Sequence, residues 1–262
     1  MRRSKICHGA GDNGKSTLLE LFRVLLGDYA ATINVDSLMA KQIGNNELAD
    51  LADLRGARFV RSSETEQGQR LNEARLKRIT QGMGIIRTCR KYENMIEFPE
   101  SHTLWIDANH KPTVRGQDNA IWNRLALIPF DVTIPKSEQD QNLGAKLLAE
   151  AEGILAWAVA GAVRWYTQGL ERPPEVNQAV AAWRAESDPL KDFVEERCDL
   201  KPDLWCLSGT LWTAYEAWAE SNGVDTLSRR EFSTRLQTYG CNPDKQRVDG
   251  KQRRTWAGIG LI

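Results

Sequence analysis

The residues from Gly9 to Ser16, GAGDNGKS, match the phosphate-binding pattern G-x-x-x-x-G-K-[ST] at every fixed position. Ile6-Cys7 before them is apolar, as a short strand would be, and the apolar residues that follow recur with helical period up to Gly27. Glycines let successive backbone N–H groups point at phosphate oxygens, and the start of the helix adds its positive dipole end. The sequence therefore predicts that the chain binds a nucleoside triphosphate, and a glycine-rich surface turn is the alternative.

Residue types within this loop predict separate chemical tasks. Lys15 is expected to reach the β- and γ-phosphates, and the Ser16 hydroxyl is expected to hold Mg²⁺. The predicted nucleotide contacts are Gly9, Gly11, Asp12, Asn13, Gly14, Lys15 and Ser16.

Two later strands are predicted to deliver polar side chains near the same loop. Ala57–Ser62 leads into Glu64 and Glu66, where a carboxylate of a P-loop ATPase would hold Mg²⁺ and orient the attacking water. Such carboxylates are more often ordinary surface groups, but their position one strand after the loop favours catalysis. Thr103–Ala108 leads into Asn109, which would contact the γ-phosphate or the lytic water, or would simply form a turn before a proline.

Composition limits the class of protein and its partners. The 262 residues are 41% hydrophobic, and they contain no apolar stretch that could span a bilayer and no secretory signal. The five cysteines lack metal-type spacing and are expected to be reduced thiols, which predicts a cytoplasmic protein without a membrane partner. Because the net charge is zero, nucleic-acid contact must come from local basic patches.

Two basic regions are candidates for such contact. The first is a predicted β-hairpin at Ile85–Phe98, either a solvated hairpin or a loop that touches a phosphate backbone. In the second, predicted helices are followed by a hairpin that turns at Asp249-Gly250, the order of a winged helix-turn-helix. This order favours nucleic-acid contact over a solvated tail. The basic residues of the second region are Arg229, Arg230, Arg235, Lys245, Arg247, Lys251, Arg253 and Arg254.

Taken in order, these motifs resemble the superfamily 3 helicases, a branch of the AAA+ ATPases. The most similar group is the C-terminal ATPase part of phage and plasmid primase–helicases, which also resembles the poxvirus primase–helicase. The resemblance is strong over Gly9–Pro135 and looser beyond it. It is carried by Gly11–Thr17, Ser63–Glu66, Leu104-Trp105, Asn109–Pro112, Arg115-Gly116, Ile121–Leu125 and Ile128–Phe130.

This resemblance implies an α/β AAA+ domain with a parallel central sheet at 1–135. A helical linker or lid at 136–188 and a winged-helix DNA-binding domain at 189–262 would follow. The cofactors would be ATP and Mg²⁺, with Thr17 joining Lys15 and Ser16. Glu64 would be the catalytic acid and a metal contact, with Glu66 as a second candidate, Asn109 the sensor, and Arg124 an arginine finger for the neighbouring subunit.

Enzymes of this family are hexameric rings that draw single-stranded DNA through a central pore. The resemblance therefore implies a homo-oligomer, and it places candidate DNA contacts of the first hairpin region at Lys77, Arg87, Arg90 and Lys91. The implied function is ATP-driven movement on DNA in phage, prophage or plasmid replication, with a primase as a possible partner. The alternatives are a DNA-stimulated ATPase that loads a replication complex and a non-catalytic remnant that binds nucleotide and DNA.

Three positions depart from the family pattern. Asn123 stands where a first arginine is usual, so Arg124 is the finger candidate there. The turn at Thr80–Gly84 lacks the family's acid, and Asp107 lies in a strand where an uncharged residue is usual. Since Met1 lies so close to the glycine loop, we expect the chain to be the C-terminal part of a longer protein or a shortened version of it.

Overall fold

The computed structural model describes residues 4–40, 48–65, 68–90, 93–116, 118–188, 190–222 and 226–262. The chain divides into two compact units, Met1–Arg184 and Ala185–Ile262. The first unit confirms the predicted α/β class. Its strands and helices, in chain order, are β1 (Ser4–His8), α1 (Lys15–Leu26), β2 (Ala30–Ile33), β3 (Phe59–Thr65), α2 (Glu73–Ile79), β4 (Ile85–Thr88), β5 (Ile96–Pro99), β6 (Thr103–Ala108), α3 (Asn119–Trp122), β7 (Leu125–Pro129), α4 (Leu143–Ala149), α5 (Ala151–Gln168) and α6 (Pro174–Glu186).

The central sheet of this unit has the strand order β2-β3-β6-β1-β7, and every neighbouring pair is parallel. The carboxyl ends of all five strands therefore lie at one edge of the sheet. The glycine loop leaves β1 at this edge, and Asn109 follows β6 there. Because β6 lies between β1 and β3, residues at the end of β6 are nearer to the loop than those at the end of β3.

Side chains alternate between the two faces of this sheet, as they must in a pleated strand. On one face, Leu104 and Ile106 of β6 join a core that includes residues of α2 and α3. On the other face, Trp105 packs with Phe59 and with Phe22 of α1, with ring centroids 5.7 and 6.2 Å apart. Helices thus cover both faces, as the apolar composition of these strands requires.

The predicted hairpin at Ile85–Phe98 is confirmed as the antiparallel pair β4–β5. Ile86 and Phe98 are buried in the core of the first unit, whereas Ile85 is exposed. The stretch 136–188, predicted as a helical linker or lid, contains α4, α5 and α6, and no residue of α5 is buried. Within the described residues, none of the helices combines the length and the apolar character that crossing a membrane requires.

The second unit begins close to residue 189, where the C-terminal domain is predicted to start. Asp188 anchors this unit, since it accepts hydrogen bonds from Arg235 at 2.9 Å and from Tyr239 at 2.7 Å. Its elements are α7 (Lys191–Arg197), β8 (Cys198–Asp199), β9 (Trp205–Leu207), α8 (Ser208–Ser221), α9 (Arg229–Thr238), β10 (Asn242–Val248), β11 (Lys251–Ala257) and β12 (Gly260–Leu261).

Two local features define the elements of this unit, and the turn at Asp249-Gly250 is the one predicted from the sequence. Ser228 and Glu231 form a reciprocal capping box at the start of α9. Asp249 and Gly250 both have positive φ, 50° and 75°, and they connect β10 to β11 as a two-residue hairpin turn. β11 also pairs with β9, which gives a three-stranded antiparallel sheet beside the three helices.

Candidate nucleotide site and nucleic-acid surfaces

The loop between β1 and α1 is formed by backbone conformations that glycine supplies. Gly11 and Gly14 have φ values of 106° and 81°, which other residues rarely adopt. Gly9 faces a different constraint, because a Cβ atom there would lie 2.2 Å from the carbonyl oxygen of Phe130. The backbone turn of the loop therefore requires Gly11 and Gly14, and its close approach to the end of β7 requires Gly9.

Lys15 is held inside this loop. Its ammonium donates to the carbonyl oxygen of Gly9 at 2.7 Å and to Oδ1 of Asn13 at 3.0 Å, and the residue is 2% exposed. The amide of Asn13 in turn donates to the carbonyl oxygen of Phe130 at 3.0 Å. A buried cation beside curled backbone at a helix N-terminus fits the triphosphate that the motif predicts.

Ser16 and the end of β6 form a second group of polar atoms. The Ser16 hydroxyl donates to Oδ2 of Asp107 at 2.9 Å, and Arg61 contacts the same oxygen at 3.1 Å. Asp107 is fully buried, and its Oδ1 has no hydrogen-bond partner in the part of the chain that the structure describes. Hydroxyl and carboxylate oxygens are the ligands that Mg²⁺ prefers, so these donors fit the predicted metal.

A cleft of about 800 Å³ opens beside the loop and α1. Thr17 lines it next to Ser16, and α4 lies on its far side. The backbone N–H of Ile134 donates to the carbonyl oxygen of Asp12 at 2.7 Å, which ties the segment before α4 to the loop. The volume lies within the range of small-molecule sites.

Burial and charge change the chemistry of two neighbouring groups. Burial raises the pKa of the Cys7 thiol to about 12, and the negative charge of Asp107 adds to this effect. Cys7 is therefore a neutral packing residue rather than a nucleophile. A hydrogen bond from Arg23 lowers the pKa of Glu20, which is therefore an ionised carboxylate on the exposed side of α1.

Glu64 and Asn109 lie on β3 and directly after β6, the two strands expected to position them. The backbone of Glu64 lies in the last part of β3, and its side chain is outside the described part of the structure. Glu66 also lies outside the described residues. Asn109 directly follows β6 at the same sheet edge as the glycine loop. Their roles remain predictions from the resemblance and from this placement.

Arg124 lies at the opposite edge of the sheet. It immediately precedes β7, whose first residue is opposite Ser4 and whose last is opposite His8, just before the loop. Four residue steps at about 3.3 Å each separate the two ends, a span of about 13 Å. Since Arg124 precedes β7, it lies farther than this span from its own loop. Its guanidinium donates to the carbonyl oxygen of Ala120 at 2.6 Å.

The candidate DNA contacts of the first unit are engaged with acids. Lys77 pairs with Asp118 at 2.9 Å, and Arg87 pairs with Glu97 across the β4–β5 hairpin at 2.8 Å. Arg90 pairs with Asp53. Lys91 lies outside the described residues. The positive charge of this hairpin region is thus largely balanced within the described part of the unit.

The basic residues of the second unit have a different environment. The Arg229 guanidinium lies over the ring of Trp212, 5.1 Å from its centroid, beside a cleft of about 1580 Å³ between α8, α9 and the β10–β11 hairpin. Lys245 and Arg254 are directly opposite each other on that hairpin, an arrangement of like charges that an anion would relieve. Within the described residues, no ion pair involves Arg229, Arg230, Lys245, Arg247, Lys251, Arg253 or Arg254.

One basic residue of this region is structural, which corrects the prediction for it. Arg235 is 5% exposed and pairs with Asp188 at 2.9 Å, so it does not contribute to a basic surface. Conversely, Asp107 and Arg61 were not predicted as site residues. The available signals were the charge of Asp107 within the largely apolar β6 and the charge of Arg61 directly after the apolar start of β3.

The glycine loop and the parallel sheet are those of a P-loop-like α/β domain. Residues 185–247 match the family described as "Poxvirus D5 protein-like", and residues 7–124 match a family of unknown function (DUF5906). "Putative helicase 022R" of Frog virus 3 is 25% identical over 97% of this chain and 27% of the viral protein. "Putative helicase L207/L206" of Acanthamoeba polyphaga mimivirus is 28% identical over 90% of this chain and 27% of that protein.

"Putative primase C962R" of African swine fever virus is 23% identical over 92% of this chain and 28% of its own length. The chain thus spans about a quarter of the length of these curated relatives. The A form apo structure of the NrS-1 C-terminal region shares the fold, with a TM-score of 0.51 and 15% identity over 98% of this chain and 66% of that chain. Together these matches support a primase–helicase-like ATPase region of superfamily 3, the family that the sequence motifs resemble.

Proposed function

We propose that this chain is the ATP-hydrolysing motor region of a replicative primase–helicase that moves on DNA. The observation that carries the proposal is the buried Lys15 within a glycine loop, at the sheet edge where Ser16 contacts Asp107. The names of the viral relatives support a role in replication. ATP and Mg²⁺ are the cofactors proposed for this site.

In this proposal each part of the site has one task. The backbone N–H groups of the loop orient the phosphates, and Lys15 stabilises charge on the transferring phosphoryl group. Mg²⁺, when bound beside Ser16, supplies charge neutralisation for the phosphate oxygens. Glu64 accepts a proton from the attacking water, and Asn109 contacts the same water or the γ-phosphate.

Two observations support assembly into a homo-oligomer, proposed to be a ring. Arg124 lies at the sheet edge away from its own loop, so a role at a nucleotide requires the loop of another subunit. Helix α5 has no buried residue, and it leaves Trp157, Trp165 and Tyr166 exposed by 64%, 60% and 91%. Large exposed apolar patches of this kind mark interaction surfaces.

A second candidate function is a DNA-stimulated ATPase that loads or remodels a replication complex without unwinding. The ion pairs of Lys77, Arg87 and Arg90 favour it, because charge that is already balanced by acids attracts a DNA strand less. A measurement of DNA strand displacement by the assembled protein would distinguish the two functions, because only the motor is expected to unwind DNA.

Substitution of the proposed catalytic acid separates nucleotide binding from hydrolysis. Glu64→Gln is expected to bind ATP with wild-type affinity and to lose at least about 10²-fold in turnover, because the amide cannot accept a proton from water. Binding of a fluorescent ATP analogue and release of phosphate would be measured on the same samples. Glu66→Gln is the matched control, and the assignment is wrong if that variant loses turnover while Glu64→Gln keeps it.

The basic residues of the second unit that have no ion pair in the described structure, here called the C-terminal basic surface, are expected to bind DNA through phosphates. They are Arg229, Arg230, Lys245, Arg247, Lys251, Arg253 and Arg254. The variant combines Arg230→Gln, Lys251→Gln and Arg253→Gln, three exposed residues without ion pairs in the described structure. Each lost phosphate contact lowers the salt dependence of single-strand binding by about 0.7 in log–log slope, so the slope should fall by about 2. Affinity should decrease similarly for unrelated DNA sequences.

Substitution tests this surface more cleanly than deletion of Cys241–Ile262. That deletion would remove Trp256 and Ile259, which are buried in the core of the second unit. The matched control neutralises Lys77, Arg87 and Arg90 together, and we expect a smaller change because those charges already have acid partners. An unchanged slope in the C-terminal variant would mean that its basic residues form only a solvated surface.

A further inference from the structure

Asp107 is a charged residue that is fully buried in the first unit. It belongs to β6, between β1 and β3, and it is 0% exposed. The alternation of β6 places it on the same face as Trp105, toward α1 and Ser16. Burial of a carboxylate is unfavourable unless opposite charge and hydrogen bonds compensate it, so its presence here needs a cause.

The compensation that the structure shows is incomplete. Ser16 and Arg61 both contact Oδ2 of Asp107, whereas Oδ1 has no hydrogen-bond partner among the described residues. Arg61 also contacts Glu20 at 3.2 Å, and Glu20 pairs in turn with Arg23 at 2.6 Å, so two arginines and two carboxylates form one network. What remains is a carboxylate oxygen without a hydrogen-bond partner among the described residues, on the side chain that accepts from the Ser16 hydroxyl.

We infer that Asp107 supplies the carboxylate that holds Mg²⁺ at the nucleotide site, together with Ser16. The inference rests on the proposed function, and it moves the principal protein carboxylate for the metal from Glu64 at the end of β3 to the strand beside the loop. A divalent cation provides the partner that Oδ1 of Asp107 lacks among the described residues. Arg61 then competes with the metal for the same carboxylate.

The test measures metal affinity rather than turnover. The 262-residue chain with a bound fluorescent ADP analogue is titrated with Mn²⁺, and free Mn²⁺ is followed by its electron paramagnetic resonance signal. Asp107→Asn keeps the shape and can still accept the hydrogen bond from Ser16, but it has no charge. We expect the half-saturating Mn²⁺ concentration to rise between about 10- and 100-fold, while nucleotide affinity in EDTA stays within about twofold of wild type.

Glu20→Gln is the matched control, because Glu20 is an ionised carboxylate that contacts the same arginine but is 47% exposed and does not contact Ser16. We expect it to change Mn²⁺ affinity by less than about twofold. If Asp107→Asn does not fold, Arg61→Gln combined with Asp107→Asn removes both charges together and is compared with Arg61→Gln alone. That comparison should show the same loss of Mn²⁺ affinity, whereas Arg61→Gln alone should bind Mn²⁺ at least as tightly as wild type.

Wild-type Mn²⁺ affinity in the Asp107 variants would overturn the inference and leave Asp107 as a structural link between α1 and β6. Failure of the proposed function gives a different result, since the wild-type protein would then release no phosphate above the Lys15→Ala blank, whatever its Mn²⁺ affinity. Phosphate release measured beside the titrations therefore distinguishes the two failures.

Discussion

Replacement of Lys15 by alanine is expected to lower ATP turnover by at least about 10²-fold, the usual effect of removing a group that stabilises transition-state charge. Lys15 is buried in the glycine loop, where its ammonium contacts Gly9 and Asn13. The loop itself, Gly9–Ser16, contains no other lysine or arginine that could replace this charge. Nucleotide affinity should decrease with turnover, because the same cation contacts the phosphates before and during transfer.

The fold should survive this substitution. Removal of the ammonium leaves two acceptors without their donor, at a cost of about 1–3 kcal/mol in the free energy of unfolding. Circular dichroism spectra and melting curves would be compared with phosphate release on the same samples. Lys136→Ala is the matched control, since it removes an exposed lysine and should leave turnover unchanged. Substantial turnover in a folded Lys15→Ala variant would refute the assignment of the loop.

Replacement of Arg124 by alanine is expected to keep ATP affinity and to lower turnover by about 10³–10⁵-fold, as for other arginine fingers. Arg124 precedes β7, so the strand register places it more than about 13 Å from its own loop. A fully extended arginine side chain is too short for that distance, so any action on a phosphate must be on the nucleotide of a neighbouring subunit. Loss of turnover in this variant would therefore indicate catalysis between subunits.

Mixing two inactive variants tests this geometry directly. In a mixed oligomer, an Arg124→Ala subunit keeps an intact glycine loop, and a Lys15→Ala neighbour provides the arginine. Turnover should reappear after mixing under conditions that allow subunit exchange, although neither variant has activity alone. If mixing restores nothing while exchange is demonstrated by labelled subunits, the arginine does not act between subunits and the loader function becomes the better account.

Much of the first unit could be predicted from sequence because its signals are local. The pattern from Gly9 to Ser16 defines a strand, a loop and a helix through short-range backbone geometry. Alternation within Ile85–Phe98 and the Asp249-Gly250 pair likewise predict hairpins, which the structure confirms. These elements depend on neighbours in the chain, so a single sequence contains the information.

The contacts of the site could not be predicted in the same way, because strand order and register are properties of the whole sheet. Asp107 and Ser16 are far apart in sequence, and they meet because β6 pairs directly with β1. The sequence marks Asp107 only as an unusual charge. Likewise, the partners of Arg87 and Arg90 depend on Glu97 and Asp53, whose proximity no local pattern indicates.

The availability of basic residues at the surface likewise could not be predicted from the sequence. Arg235 and Arg229 lie on the same helix and have the same charge, but Arg235 is buried against Asp188 whereas Arg229 lies over Trp212 at a cleft. Charge density along the chain therefore indicates a region of interest and not the individual contact residues. Burial and pairing decide which charges remain available to a phosphate backbone.

The central claim is that this chain hydrolyses ATP at its glycine loop and couples hydrolysis to DNA. The most direct measurement is the rate of phosphate release by the wild-type protein as single-stranded DNA is added, with Lys15→Ala as the blank. The account predicts Mg²⁺-dependent turnover that exceeds the blank and increases with DNA until it saturates. Wild-type protein that binds ATP but shows no turnover above the blank, with or without DNA, would contradict it.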